Sequence, residues 1–176
     1  AQRKRQVVGE DPFAKLPMPD VRTLSEPYGI LVTGIGGTGV IIVGALLGMA
    51  AHLEGKGCTV LDFTGLAQKN GAVMSHIRLA PKPEDLYAVR IAAGGANLML
   101  GCDMVVAVSP SALSRYEQGV TRGVVNGFLQ PTAAFVTNGD IDFEQQSMIR
   151  TLRDVMGRDA VDFVDATGLA TAILGD

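Results

Sequence analysis

The segment that most restricts the fold begins at Gly29. From there to Ala51 the chain carries no Asp, Glu, Lys or Arg, while Gly34, Gly36, Gly37 and Gly39 crowd into six positions. Residues 30–51 form an uncharged, mostly apolar stretch long enough to cross a bilayer as a helix. The glycine cluster argues against that reading, because each glycine costs about 1 kcal/mol relative to alanine in a helix interior. Three pieces fit better: a buried strand at 29–33, a glycine turn at 34–39 and a buried helix over 38–53. Gly44 and Gly48, spaced for close packing, then belong to that helix. No membrane span is expected. A secretory signal is not expected either, since the apolar run starts late and lacks the usual flanks.

Composition narrows the function classes. Eighteen acidic against fifteen basic side chains leave a net charge of −3, so no basic stripe is available for nucleic acid. With 47% hydrophobic residues, the chain is too apolar for low-complexity disorder, and 176 residues suit one domain. Cys58 and Cys102 are the only cysteines and form no CxxC pair, so they cannot supply the four ligands of an iron–sulfur cluster. They read as two buried free thiols of a cytoplasmic protein. His52 and His76 show no HxxxH spacing, and no metal site is expected.

Residues 1–27 are charged and punctuated by Pro12, Pro17, Pro19 and Pro27, which reads as a linker or surface arm with Arg3-Lys4-Arg5 as a solvated tail. The chain starts without Met and stops partway through an apolar pattern begun at Gly168, as expected for a piece of a longer polypeptide. Over residues 28–176, short aliphatic runs alternate with helical stretches. Strands are expected at 30–33, 59–63, 104–109, 133–137 and 161–164, and helices at 38–53, 95–100, 111–118 and 143–156. Near-continuous apolar strands between helices indicate an α/β fold, with a mostly parallel sheet covered by helices on both faces. In the last helix Met148, Ile149, Leu152, Val155 and Met156 share one face, Arg150 and Arg153 look to solvent, and Gly157 closes it. Small polar loops at 34–39, 64–71, 109–111 and 137–139 would follow the strands, where open α/β sheets hold their ligands.

Gly34-Ile35-Gly36-Gly37-Thr38-Gly39 matches GxGxxG after a strand and at the start of a helix. Its N–H groups and the helix dipole favour a phosphate. Asp62, 23 residues after Gly39, falls near the place of a ribose-binding acid in a Rossmann-like dinucleotide fold. NAD or FAD binding, a tight packing turn, another phosphate-bearing ligand and a protein partner all remain open on this pattern. GxxxxGK[ST] is absent, which disfavours a P-loop hydrolase.

The second motif is the more specific. A loop with Gln68, Lys69 and Asn70 runs between Gly65 and Gly71 into an alternating strand with Ser75, His76 and Arg78. Lys69 and Arg78 could hold an anion or pair with carboxylates of another domain. His76 reads as a satisfied structural histidine, and Arg78 as a surface or interface ion pair.

Gly-Ile-Gly-Gly-Thr-Gly-Val at 34–40, with Gly-Leu-Ala-Gln-Lys-Asn-Gly-Ala-Val-Met-Ser-His-Ile-Arg at 65–78, resembles the gamma-type domain of the 2-oxoacid:ferredoxin oxidoreductases. The Gly-Leu-Ala-Gln-Lys wording points to the indolepyruvate branch, and Asn70 stands where many relatives have Gly. The resemblance implies an arylpyruvate oxidation that passes electrons to ferredoxin and the acyl group to coenzyme A. Thiamine diphosphate and iron–sulfur clusters would lie on other domains or subunits, because their signatures are missing here. This domain would contribute to coenzyme A binding and to interfaces around the active site, with a homo-oligomer allowed. On that implication the cofactor-binding candidates are Gly34, Gly36, Gly37, Thr38, Gly39, Lys69, Asn70, Ser75 and Arg78. No catalytic residue is assigned. The alternative is an NAD(P)-binding domain of a dehydrogenase or regulator, and a third reading is an interaction module docking through 65–78.

Overall fold

In the computed structural model, which describes residues 16–18, 20–21, 23–64, 71–128 and 141–174, the centre of the fold is the apolar run Tyr28–Ile35. This strand, β1, is buried at every position except its two ends. It leads through the glycine turn into α1 (Val40–Leu53) and then into β2 (Gly57–Thr64) and β3 (Ala72–Ala80). The chain continues through β4 (Leu98–Gly101), α2 (Met104–Ala107), α3 (Pro110–Leu113) and β5 (Arg122–Asn126). It ends with α4 (Ile141–Met156), β6 (Val161–Val164) and α5 (Ala166–Leu174). Among the described residues no helix is long and apolar enough to cross a membrane.

The six strands make one sheet in the order β2-β3-β1-β4-β5-β6. β1, β4, β5 and β6 run parallel, whereas β3 pairs antiparallel with both β1 and β2. The sheet is therefore mostly parallel, as expected, with one reversed strand inserted where a uniformly parallel sheet would set β2 beside β1.

Alternation along β1 divides the core in two. Ile30 and Val32 join Val40, Val73 and Ile77 beneath α1. Leu31 points to the other face, with Met99, Met104, Val125, Leu152 and Met156 beneath α2 and α4. The apolar stripe of α4 meets that second core as its spacing predicts. Leu152 and Met156 are fully buried, Met148, Ile149 and Val155 pack around them, and Gly157 ends the helix at φ 108°.

The middle of the chain differs from expectation. Residues 95–100, read as helix, run into β4, and 104–109, read as strand, contain α2. The sidechain of Asp103 decides the second case by accepting a hydrogen bond from the Val106 N–H at 2.9 Å, which caps one helical turn of Val-rich sequence. The helix read at 111–118 is one turn, α3, with Pro110 at its start. β5 was not anticipated from sequence because Arg122 and Gly123 interrupt its apolar run. The strand read at 133–137 and the loop at 137–139 lie outside the described residues.

The first helix is only half buried. Val40, Gly44 and Ala51 face the sheet, where Gly44 lies over Ser75 and Val60 and Gly48 over Val60 and Cys58. Its outer face carries Ile41, Ile42, Leu46, Met49 and Leu53 into solvent. The absence of charge at 29–51 marks a buried strand, but not a buried helix.

Candidate functional site at the strand ends

The chain leaves β1 towards one face of the sheet and leaves β4 towards the other, so a crevice opens between their carboxyl ends. Gly37 and Gly39 adopt φ 97° and 86°, and a Cβ built on either meets nothing within 4 Å among the described residues. Gly34, by contrast, is packed beneath Val40 and against Cys102. The turn is held by Thr38, whose N–H and Oγ1 both donate to the Ile35 carbonyl, and by the Gly36 N–H, which donates to the Gly71 carbonyl at 2.9 Å. Among the described residues no side chain caps α1. The N–H groups of its first turn are therefore unclaimed by the helix and favour an anion.

A cleft of about 440 Å³ runs from the turn across the strand ends to α5. Leu100, Val124 and Val164 line it with apolar surface, while Thr38, Cys102, Asn126, Thr167 and Thr171 supply polar side chains. Among the described residues no lining side chain is charged. Burial, with Asp103 beside it, pushes the Cys102 thiol above its ordinary range, so it stays protonated at neutral pH. Cys58 is raised by burial as well, and both thiols are free and only partly buried.

Asn126 organises the cleft and was not singled out from sequence. Its Nδ2 donates to the Cys102 carbonyl at 3.4 Å and to Thr167 Oγ1 at 3.0 Å, while its Oδ1 accepts from the Ala166 N–H at 3.2 Å. One side chain thus ties the loops after β4, β5 and β6. The Asn126-Gly127 pair after an apolar run is the turn signal that could have revealed it. Asn126→Ala is expected to lower unfolding free energy by about 1 kcal/mol, read from urea denaturation, because it removes three inter-loop hydrogen bonds of which only the one to the Cys102 carbonyl is partly buried.

Not all the sequence candidates converge. Gly34, Gly36, Gly37, Thr38 and Gly39 form the turn itself. Lys69 and Asn70, with the rest of 65–70, lie outside the described residues. Ser75 is fully buried against Gly44 under α1, so it is packed away from the crevice, and its hydroxyl has no hydrogen-bond partner among the described residues. Arg78 pairs in register with Gly29, at the opposite end of the sheet, about 20 Å along β3 from Ala72. Its guanidinium donates to the Ala88 carbonyl at 3.1 Å, and no ion pair forms there among the described residues.

His76 is the satisfied structural histidine expected. It is 2% exposed, accepts from the Ile91 N–H through Nδ1 at 3.2 Å and packs edge-on against Phe63 at 5.1 Å. Together His76 and Arg78 fasten the segment before β4 to the sheet. Ser109 and Ser111 follow α2 instead of a strand, although Ser111 reaches Met74 Sδ at 3.8 Å.

A family model described as pyruvate ferredoxin/flavodoxin oxidoreductase matches residues 29–170. The chain belongs to this family. It is 33% identical over 83 residues to the indolepyruvate oxidoreductase subunit IorB of Thermococcus kodakarensis, covering 47% of this chain and 40% of that protein. It is also 30% identical over 142 residues to the pyruvate/ketoisovalerate oxidoreductases common subunit gamma of the same organism, covering 81% of this chain and 66% of that one. These relatives agree with the resemblance carried by residues 34–40 and 65–78. The match to the IorB protein spans about two-fifths of its length.

Solved structures share the fold. The pyruvate oxidoreductase subunit PORC of Thermotoga maritima superposes with TM-score 0.55 at 19% identity, over 84% of this chain and 67% of that one. The 2-oxoglutarate:ferredoxin oxidoreductase of Magnetococcus marinus, solved with 2-oxoglutarate, coenzyme A and succinyl-CoA bound, gives 0.57 at 14% identity, over 84% and 21%.

Proposed function

We propose that this chain is an accessory, gamma-type part of an indolepyruvate-type 2-oxoacid:ferredoxin oxidoreductase, contributing a coenzyme A contact and active-site assembly without turnover of its own. The family match over 29–170 carries the reading, and the IorB relatives favour the arylpyruvate branch. The complete reaction would convert an arylpyruvate, coenzyme A and oxidised ferredoxin to the arylacetyl-CoA, carbon dioxide and reduced ferredoxin. Thiamine diphosphate and iron–sulfur clusters would be held by partner domains. The two cysteines of this chain do not fit a cluster: Cys58 lies on β2 and Cys102 beyond β4, with β3 and β1 between them.

The crevice fits coenzyme A in two parts. The open N–H groups over Gly37 and Gly39 suit its phosphates, and the uncharged cleft, with Asn126 and Thr167 among its polar groups, suits an amide-bearing pantetheine arm. The dinucleotide alternative has less support. β3 separates β2 from β1 by about 10 Å, so Asp62 lies one strand farther from the turn than a ribose-binding acid requires.

Calorimetric titration of the chain with coenzyme A and, separately, with NAD tests the ligand. Coenzyme A should bind, and Gly36→Asp should weaken it about tenfold or more by adding a carboxylate to the turn, at a position where a Cβ meets the Gly71 carbonyl at an ordinary 3.7 Å. Binding of NAD alone would overturn the ligand assignment. Arylpyruvate-dependent dye reduction by this chain without other subunits would overturn the accessory role.

A further inference from the structure

The edge pair β2 and β3 has two unlike faces. Cys58, Val60 and Ser75 lie beneath Gly44 and Gly48 of α1. Alternation sends Thr59, Phe63, His76 and Arg78 to the other side, where the irregular segment 88–91 crosses them. Three arginines gather there. The Arg90 guanidinium lies 5.2 Å from the centre of the Phe63 ring, which itself meets His76 edge-on. Arg115 donates to the Ile91 carbonyl at 3.2 Å, and Arg78 to that of Ala88. Among the described residues no carboxylate forms an ion pair with any of the three. After burial, the charges of Arg115 and Arg90 are what lower the His76 pKa, and no carboxylate offsets them. The chain as a whole is acidic, at −3, so overall composition does not account for a positive face.

A guanidinium is a planar fork of several N–H donors. The carbonyls of Ala88 and Ile91 and the ring of Phe63 hold the three heads in place while leaving most of those donors over. The Nε of Arg115 is buried without a partner among the described residues. Arginine held in this way suits bidentate pairing with carboxylates. The breadth of the face separates a peptide from a small anion. Thr59 and Phe63, the β2 residues beside Arg78 and Arg90, are four positions and so about 13 Å apart along the strand. A single phosphate does not span that distance, whereas carboxylates along an extended segment do. Among the charges stand half-buried Phe63 and exposed Tyr87 and Val89, and a mixture of arginine and aromatic side chains is what protein interfaces favour. Phe63 also lies at the same end of the sheet as the glycine turn. A domain that presents an acyl group to the crevice therefore passes close to Arg90.

We propose that this face receives an acidic segment of the thiamine-diphosphate-binding part of the same enzyme, with its carboxylates paired to Arg78, Arg90 and Arg115. It rests on the accessory role proposed above, and it names the surface through which that role is exercised.

Binding of the full chain to the thiamine-diphosphate-binding polypeptide, followed by calorimetric titration at rising potassium chloride, should weaken as salt screens the pairs. Arg90→Glu, at the exposed member of the three, should weaken binding about tenfold or more and flatten its salt dependence. Arg90→Lys should recover part of the affinity. Arg150→Glu, at an exposed position on α4, should bind like the wild type. Far-UV circular dichroism and coenzyme A binding by the chain alone should not change in any of them. Assembly indifferent to salt and to Arg90→Glu would overturn the docking face and leave the accessory role standing. So would an equal loss in Arg150→Glu, which would mark a general charge effect. A wild-type chain that binds the polypeptide at no salt concentration would overturn the accessory role and the docking face together. Inorganic phosphate bound by the wild type and lost in Arg90→Glu, with assembly unaffected, would make this a small-anion site instead. If Arg90→Glu loses its folded signal, Arg90→Gln reads the same contact without a reversed charge. Undiminished assembly of that variant would count against the face.

Discussion

Gly34→Ala should lower the unfolding free energy by about 3 kcal/mol, the upper end of the usual penalty for overpacking. A Cβ at this position would overlap Thr38 Oγ1, lie 2.7 Å from Val40 Cγ2 and stand 3.1 Å from Cys102 Cβ. These neighbours belong to the turn, the first residue of α1 and the loop after β4, so no single rotamer change makes room. Val40 is itself buried in the core beneath α1. The neighbouring Gly36→Ala is the contrast. Its nearest new contact is the Gly71 carbonyl at 3.7 Å, and stability should change by less than about 1 kcal/mol. Urea denaturation followed by circular dichroism compares the two. Equal midpoints would mean that the start of α1 can move freely, and the turn could not hold its N–H groups in place.

Acid should weaken the fold through His76. Burial holds its imidazole pKa down at about 4 from an ordinary 6.5, and the Arg115 and Arg90 guanidiniums push in the same direction. Because Nδ1 accepts from Ile91, the neutral ring carries its proton on Nε2. The unfolded chain takes up a proton near pH 6.5 while the folded chain resists it. This contribution is therefore fully present above pH 6.5, falls as pH drops towards 4 and changes no further below that. About 3 kcal/mol is lost over the interval. His76→Asn keeps an acceptor for the Ile91 N–H and removes the titration. Its urea midpoint should accordingly fall less between pH 6.5 and 4 than that of the wild type. Parallel profiles would remove His76 from the acid response.

What could be read in advance depended on how local the cause was. The β1-turn-α1 unit was legible because its glycines and apolar runs act within a few residues. α4 was legible because a sixteen-residue helix displays its period several times over. The exchange of strand and helix at Leu98–Gly101 and Met104–Ala107 arose because four residues show no period. The slot between β1 and β5 and the Asp103 cap outweighed the propensities of the two segments. The strand carrying Ser75, His76 and Arg78 was read as a strand, but its reversed direction and its place between β1 and β2 were not, since hydrophobic alternation says which side chains are inward and nothing about which strand lies alongside.

The candidate site divides along the same line. The amino-acid sequence by itself determined the glycine turn, the family resemblance and the lack of cluster ligands, because each depends on residue identity at short spacing. Tertiary structure alone decided that Asn126 joins three loops, that Ser75 is sealed under α1 and that Arg78 lies at the far end of the sheet. It also decided that the charge-free helix covers the core with one face and presents the other to solvent. An apolar residue carries the same hydropathy on either side of a helix, and only the position of the sheet beneath it determines which side is buried.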